Sequence, residues 1–263
     1  MVAAPSRSSN PAAAQLHPVL RSLFTRPLPV VMGVLNVTPD SFSDGGQFTT
    51  PELALAQAKQ MIAEGAGILD IGAESTRPYG SKPVSADEEL QRLQDILPAV
   101  AALGIPVSID TMKASVAAWA LNNGAAIAND VWGLQRDPDM ARTVADHGVP
   151  VIVMHNRDNV DPAINIVTDM LAFFARSLDI AAKANIPQGN IVLDPGIGFG
   201  KTPEQSMTAL ARLDDLNQFG LPVLIGASRK RFIASVTPSE PDQRLGGSIT
   251  AHLLAAQRGA KII

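Results

Sequence analysis

Short, almost uninterrupted apolar runs recur along this chain, separated by longer amphipathic stretches. That alternation constrains its folding more than any other feature. PVVMGVLNV (29–37), GILDIGA (67–73), PVSIDT (106–111), AAIANDV (125–131), VPVIVMH (149–155), IVLDPGI (191–197) and PVLIGAS (222–228) read as strands, and AKII (260–263) as the start of an eighth. Most lack the apolar–polar alternation of a half-exposed strand, so both faces must be covered, as in a parallel sheet flanked by helices. The intervening stretches have helical periodicity. PELALAQAKQMIAEG ends on Gly65, and SADEELQRLQDILPAVAALG runs from a Ser85-x-x-Glu88 capping box to Gly104. Further helices are expected around 113–123, 138–147, 165–185, 204–219 and 244–258. Strand and helix alternating to an eighth strand predict a TIM (β/α)8 barrel, with a doubly wound open sheet as the competing architecture.

A chain of 263 residues suits one such barrel, and no Pro/Gly-rich linker divides it, so residues 28–263 are expected to form a single domain. The opening MVAAPSRSSNPAAAQ has no sustained apolar segment; residues 1–27 read as a flexible leader rather than a signal peptide. No apolar run reaches the roughly 20 residues that span a bilayer, so no membrane partner is expected. A net charge of -4 supplies no domain-wide positive field for nucleic acid. Cysteine is absent, which excludes disulfides and thiolate metal sites and is compatible with a reducing, cytoplasmic setting.

Barrel enzymes build their sites at the carboxyl ends of the strands. Here those ends carry Asn36, Glu74 to Arg77, Asp110, Asn129-Asp130, His155-Asn156, Asp194 and Ser228-Arg229-Lys230. Burying unpaired polar groups is costly, so so many on one rim favour a small-molecule site. Asp110, Asn129 and Asp194 can read the donor edge of a flat heterocycle, with Ile127, Met154 and Ile109 as an apolar floor. Arg77, Lys201, Arg229, Lys230 and Arg231 suggest an anionic partner, and Ser228 could cap the helix that follows it. Asp70, mid-strand, reads first as a structural buried acid; His155 divides evenly between satisfied rim residue and functional one, and His17 reads as solvated. Two long polar loops, 38–48 around Phe42 and 75–85, have the length of lids.

LDPGIGFGKTPEQ (193–205) resembles a phosphate loop but fails its spacing. Gly200-Lys201-Thr202 would need glycine at 195, where proline stands, and the Gly-x-Gly-x-x-Gly fingerprint is missed as well.

MGVLNVTPDSFSDGG, ILDIGAESTRP, VSIDT, NDVWG, LDPGIGFGK and GASRK together resemble, in order and spacing, the bacterial dihydropteroate synthases of the pterin-binding family, over about residues 29–263. The resemblance implies a TIM barrel, generally dimeric. Its small-molecule substrates would be 6-hydroxymethyl-7,8-dihydropterin pyrophosphate and p-aminobenzoate, joined with Mg²⁺ assistance and release of pyrophosphate. It also implies competition between sulfonamides and p-aminobenzoate. Carried over motif by motif, Asp110, Asn129 and Asp194 resemble the pterin-reading residues, with Lys230 beside them and Met154 in the wall. Asn36 resembles the residue that meets Mg²⁺ and pyrophosphate. Thr76, Pro78, Phe199 and Ser228 look like the p-aminobenzoate pocket, closed by Arg77 and the 38–48 loop, and Asp40 is the candidate that steadies a cationic pterin. On this reading Lys201 is no phosphate-loop lysine, and catalysis is positional and electrostatic, without a covalent enzyme intermediate.

The family pattern continues past the last strand with an Arg-x-His stretch that helps hold pyrophosphate, then a final helix. This sequence ends at Lys261-Ile262-Ile263, so the last strand is expected to be cut short and the final helix absent from this chain. Two alternatives follow: a pterin-binding methyltransferase domain on the same barrel, and a catalytically silent pterin binder.

Overall fold

The computed structural model describes residues 16–38, 50–74 and 84–263. Its sheet has six parallel strands in sequence order: β1 (Met32–Asn36), β2 (Ile68–Gly72), β3 (Val107–Asp110), β4 (Ile127–Asp130), β5 (Val151–Met154) and β6 (Ile191–Asp194). The expected seventh and eighth strands contribute only single bridges. Leu193 pairs with Val223, Leu224 with Ile262, and Ile262 with Val30. Lys261 N donates to Val223 O at 2.8 Å and Val30 N to Lys261 O at 2.9 Å. Short as it is, the last segment touches both neighbours, so the sheet closes into a ring and the open-sheet alternative falls.

Among the described residues the helices are α1 (Pro18–Leu23), α2 (Pro51–Ala63), α3 (Ala86–Leu93), α4 (Leu97–Ala101), α5 (Ala114–Asn122), α6 (Met140–His147), α7 (Ile166–Lys183), α8 (Pro203–Ala211), α9 (Arg231–Val236) and α10 (Leu245–Gln257). None is long and apolar enough to cross a membrane. The stretch 85–104 forms two helices rather than one, because Pro98 lies in the first turn of α4, where its missing N–H costs nothing. Half of the expected capping box forms: Ser85 Oγ accepts from Glu88 N at 3.2 Å, while the Glu88 carboxylate pairs with Arg92. The stretch 204–219 also divides, with α8 followed by a 3-10 segment from Leu213 to Phe219.

Alternate residues of each strand face opposite sides of the sheet. Leu35, Leu69, Ile71, Val107 and Ile109 point outward to pack with Leu93, Leu97 and Val100. Val151, Val153, Ile191 and Leu193 pack outward against Met170, Phe173 and Phe174 of α7. Ile109 therefore belongs to the helix-facing layer, which corrects its expected place on the site floor. Inside the ring, Ile68, Ile127, Ile152, Val192, Leu224 and Ile262 form an apolar plug.

Leu20 of α1 packs into that plug and is fully buried. His17 is half-buried; its Nδ1 accepts from Val19 N at 3.2 Å, and its own N–H donates to Gly189 O at 2.9 Å. The leader expected over residues 1–27 is thus corrected for residues 16–27, which belong to the fold, and His17 is a cap rather than a solvated tail residue. The cause is the apolar face of this segment, with Leu20 at its centre and Leu16, Val19, Leu23 and Phe24 around it, packing on the plug of the ring, a set of contacts that no local periodicity announces.

Candidate functional site

Strand register assembles the site. Asn36 lies opposite Gly72, Gly72 opposite Asp110, and Asp110 opposite Asn129, making one row across β1 to β4 at the carboxyl mouth. Met154 lies opposite Asp194 across β5 and β6. Below the upper row sit Asp70 and Ser108, opposite each other, and below them the apolar plug. The interior therefore changes from apolar to acidic within one strand length.

Gly72 makes room for this arrangement. A Cβ there would lie 3.3 Å from Asp110 Oδ2, so a side chain would crowd the carboxylate. Asp110 Oδ1 is buried and has no hydrogen-bond partner among the described residues. Burial, and then the neighbouring charge of Asp70, pushes the Asp110 carboxyl well above the usual carboxylate range. Asp70 rises to about 6 for the same leading reason, although Ser108 and Asn129 oppose the shift. Its Oδ2 accepts from Asn129 Nδ2 at 3.0 Å, so Asp70 orients the amide above it. This matches the structural reading of Asp70 and adds a specific duty to it.

Asp194 closes the ring of acceptors. Its Oδ1 accepts from Gly196 N at 2.7 Å. Burial raises its affinity for a proton and Lys230 opposes that. Burial in turn lowers Lys230 to about 8, with Asp194 holding it up. Lys230 Nζ donates to Ile197 O and lies 4.6 Å from the centroid of the Phe199 ring. Asp110, Asn129, Met154, Asp194, Phe199 and Lys230 thus converge on one mouth, as expected from the sequence. Ile127 sits in the plug below them.

Other expectations divide. Ser228 is exposed at the same rim, but α9 begins after Lys230 as its N-cap, so Ser228 does not cap it. The turn at 228–230 is shaped instead by Arg229, whose φ is +54° and whose N–H donates to Ser248 Oγ at 2.8 Å. Asp130 faces away from the mouth: it is buried and accepts from Trp132 N and Leu134 N at 2.9 and 2.6 Å. Asp40, Thr76, Arg77 and Pro78 lie outside the described residues. Glu74 flanks that second segment. Its Oε1 accepts from Val84 N at 3.2 Å and its Oε2 pairs with Lys113 at 2.5 Å, while Lys113 also pairs with buried Glu89. Sequence reasoning missed Lys113; a lysine one turn past a strand end, facing two buried glutamates from other elements, has no local signal.

His155 is satisfied, not free. It is fully buried, its Nε2 faces Asp169 Oδ2 at 3.0 Å and its Nδ1 faces Lys201 Nζ at 2.7 Å. Burial lowers it to about 4, so the ring is neutral, with its proton on Nε2 toward the carboxylate. Lys201 points inward to backbone carbonyls, consistent with rejection of the phosphate-loop reading.

Comparison with known proteins agrees with this geometry. The model for a family described as pterin binding enzyme matches residues 32–263. The chain is 46% identical over 235 residues to dihydropteroate synthase of Bacillus subtilis, covering 89% of this chain and 82% of that protein. A Xanthomonas albilineans dihydropteroate synthase structure with 4-aminobenzoic acid is 43% identical with a TM-score of 0.85, covering 89% of this chain and 86% of the other. The Yersinia pestis enzyme in a sulfonamide complex is 40% identical with a TM-score of 0.84, over 90% and 88% of the two chains.

Proposed function

The chain belongs to the dihydropteroate synthases of the pterin-binding enzyme family, and from that membership we propose how its residues divide the work. It is a transferase of folate biosynthesis. The bond between the pterin's exocyclic methylene carbon and the diphosphate oxygen breaks, a bond to the arylamine nitrogen of p-aminobenzoate forms, and pyrophosphate leaves while the amine sheds a proton.

The observation that carries the assignment of roles is Asp110 Oδ1: a buried carboxylate oxygen without a protein partner, on a row with Asn129. Leaving such an atom unpaired is costly, so a ligand N–H is its natural complement. On this reading Asp110 and Asp194 accept from the amino and ring N–H groups of the pterin and Asn129 supplies an amide. Met154 covers one face of the ring and Lys230 donates to its acceptor side. Phe199 and Ser228 border p-aminobenzoate, together with Thr76 and Pro78. Arg77 closes over it, and Asp40 steadies positive charge on the pterin. A sulfonamide competes for the same place.

Among the described residues no group of three or more His, Cys, Asp or Glu side chains converges to cage a metal. A single amide oxygen from Asn36 fits Mg²⁺, which keeps waters and takes phosphate oxygens instead of a protein cage. Bound there with substrate, the ion would neutralise charge on the departing diphosphate. The protein's own contribution is orientation. A flat ring held at both edges presents its methylene to an amine that is already nucleophilic near neutral pH, so no strong base and no covalent enzyme intermediate are required. The reading includes a homodimer, supported by the exposed Leu245, Ile249 and Leu253 of α10, and a cytoplasmic site of action.

The relatives are dihydropteroate synthases, which sets the methyltransferase alternative aside. The test is paired. Pyrophosphate release from the pterin pyrophosphate, p-aminobenzoate and Mg²⁺ distinguishes the enzyme from a silent binder. In calorimetry, Asp194→Asn should weaken pterin pyrophosphate binding at least tenfold; unaltered binding would remove Asp194 from the pterin site.

A further inference from the structure

The mechanism above uses Asp194, Phe199 and Lys230 but not the buried cation beneath them. Lys201 is 5% exposed, yet its ammonium finds three close acceptors: His155 Nδ1 at 2.7 Å, Gly196 O at 2.9 Å and Phe199 O at 3.1 Å. A fourth, His155 O, lies farther off at 3.4 Å. Three N–H bonds thus meet three close acceptors. His155 presents a lone pair to Lys201 because its other nitrogen is engaged by Asp169.

The turn that Lys201 grips has little else to hold it: Phe199 N donates to Gly196 O at 3.0 Å and Gly198 N to Ser206 Oγ at 3.2 Å, which leaves the Phe199 carbonyl and the inner side of the turn to the ammonium. Gly196, Gly198 and Gly200 have φ of +63°, +84° and +56°. Glycine is required there: a Cβ at Gly196 would lie 2.0 Å from His155 O, and one at Gly200 would lie 2.5 Å from Arg157 Cβ. Glycine also leaves the chain more freedom to lose on ordering than any other residue. Three substrate-facing groups nevertheless depend on this turn. Gly196 N donates to Asp194 Oδ1, Ile197 O accepts from Lys230 Nζ, and Phe199 carries the ring beside Lys230.

We propose that Lys201 is a positioning residue for both substrate subsites: its ammonium, seated on the His155–Asp169 pair, is the internal template that fixes residues 196–199 and through them Asp194, Lys230 and Phe199. The charged form suits the role. A neutral amine would have two donors for three acceptors and would leave one of them unsatisfied. Burial works against the charge and lowers Lys201 to about 7, while Asp194 and Asp169 favour it and Lys230 and Arg157 oppose it. The template is therefore held by geometry against desolvation.

This inference rests on the assignment of Asp194 and Phe199 to the substrates. The turn is ordered before chemistry, so its loss reduces the competent fraction of free enzyme and raises apparent dissociation constants by that fraction. Lys201→Met should raise KM for both substrates at least tenfold and change kcat less than threefold. Leu97→Ala, a fully buried residue that packs with the other half of the barrel, serves as the control. It should lower Tm while leaving both KM values within twofold of wild type. A Lys201→Met enzyme with a lowered Tm and unchanged KM values would reduce Lys201 to a stability residue; so would a fall in kcat alone. If that variant does not fold, Lys201→Gln is measured by the same criteria. Asp194→Asn, run beside it, separates the two claims. Loss of pterin binding there with normal KM values in Lys201→Met overturns only the positioning role, whereas normal pterin binding in Asp194→Asn overturns the underlying assignment.

Discussion

Replacing Asp70 with Asn should make this protein more stable at neutral pH, and the sign of the effect follows from the direction of its shift. Most carboxylates in folded proteins are held below their unfolded values and lose stability on acidification; Asp70 is the reverse. Its pKa rises from 3.8 to about 6, chiefly through burial. Below pH 3.8 the residue is protonated in both states and costs nothing. As pH rises from 3.8 to 6 the unfolded chain gives up its proton first, so stability falls across that window and stays low above it. The gap corresponds to about 3 kcal/mol at most. An amide of the same shape removes that cost and can still accept from Asn129 Nδ2, now at 3.0 Å. The repulsion that helps raise Asp110 disappears as well. Urea unfolding of wild type and Asp70→Asn, followed by circular dichroism at pH 7.5 and pH 4, should show a gain of about 1–3 kcal/mol at the higher pH that shrinks toward zero at the lower. Equal stability at pH 7.5, or a difference that does not change with pH, would refute the argument that a desolvated charge sits in this layer.

Two further changes probe the supports of the site. Gly196→Ala would force a left-handed alanine whose Cβ meets His155 O at 2.0 Å, so a loss of about 3 kcal/mol or more is expected, with pterin binding abolished. Melting and calorimetry check it, and a variant with wild-type Tm would show that the turn is not as tight as drawn. Leu20→Ala removes a fully buried side chain from the plug and should cost about 2–4 kcal/mol in urea unfolding. A cost under about 1 kcal/mol would mean that α1 is not docked in solution.

The layered barrel was legible because buried parallel strands have a crude signature. ILDIG and VIVM have nowhere to go but between two covered faces. The legibility failed where a single contact decides. Leu20 lies in a short helix outside the repeating pattern, and its partners are plug residues from strands far along the chain. The direction of Ile109 is illegible for a related reason: in a run buried on both sides, composition cannot tell inward from outward. Parity settles it once Asp110 is known to face the mouth, because adjacent residues cannot share a side.

The site followed a similar division. Asp110, Asn129 and Asp194 could be named because a carboxylate or amide at the end of an apolar strand contradicts its surroundings, and that contradiction is local. Lys201 offers no such sign. Beside three glycines it has the look of a phosphate loop, and even with that pattern excluded its spacing is uninformative about direction. The acceptors that explain it are His155, 46 positions earlier, and carbonyls that every residue possesses. Backbone acceptors carry no sequence, so a residue whose whole task is to bind them is invisible until the turn is built. The same holds for Ser248, which receives the N–H of left-handed Arg229 from 19 positions away. The groups proposed to meet substrate are therefore the readable part of this site, and the groups proposed to hold them in place are the unreadable part, because the first stand out by their chemistry within a strand and the second only by where the chain brings them.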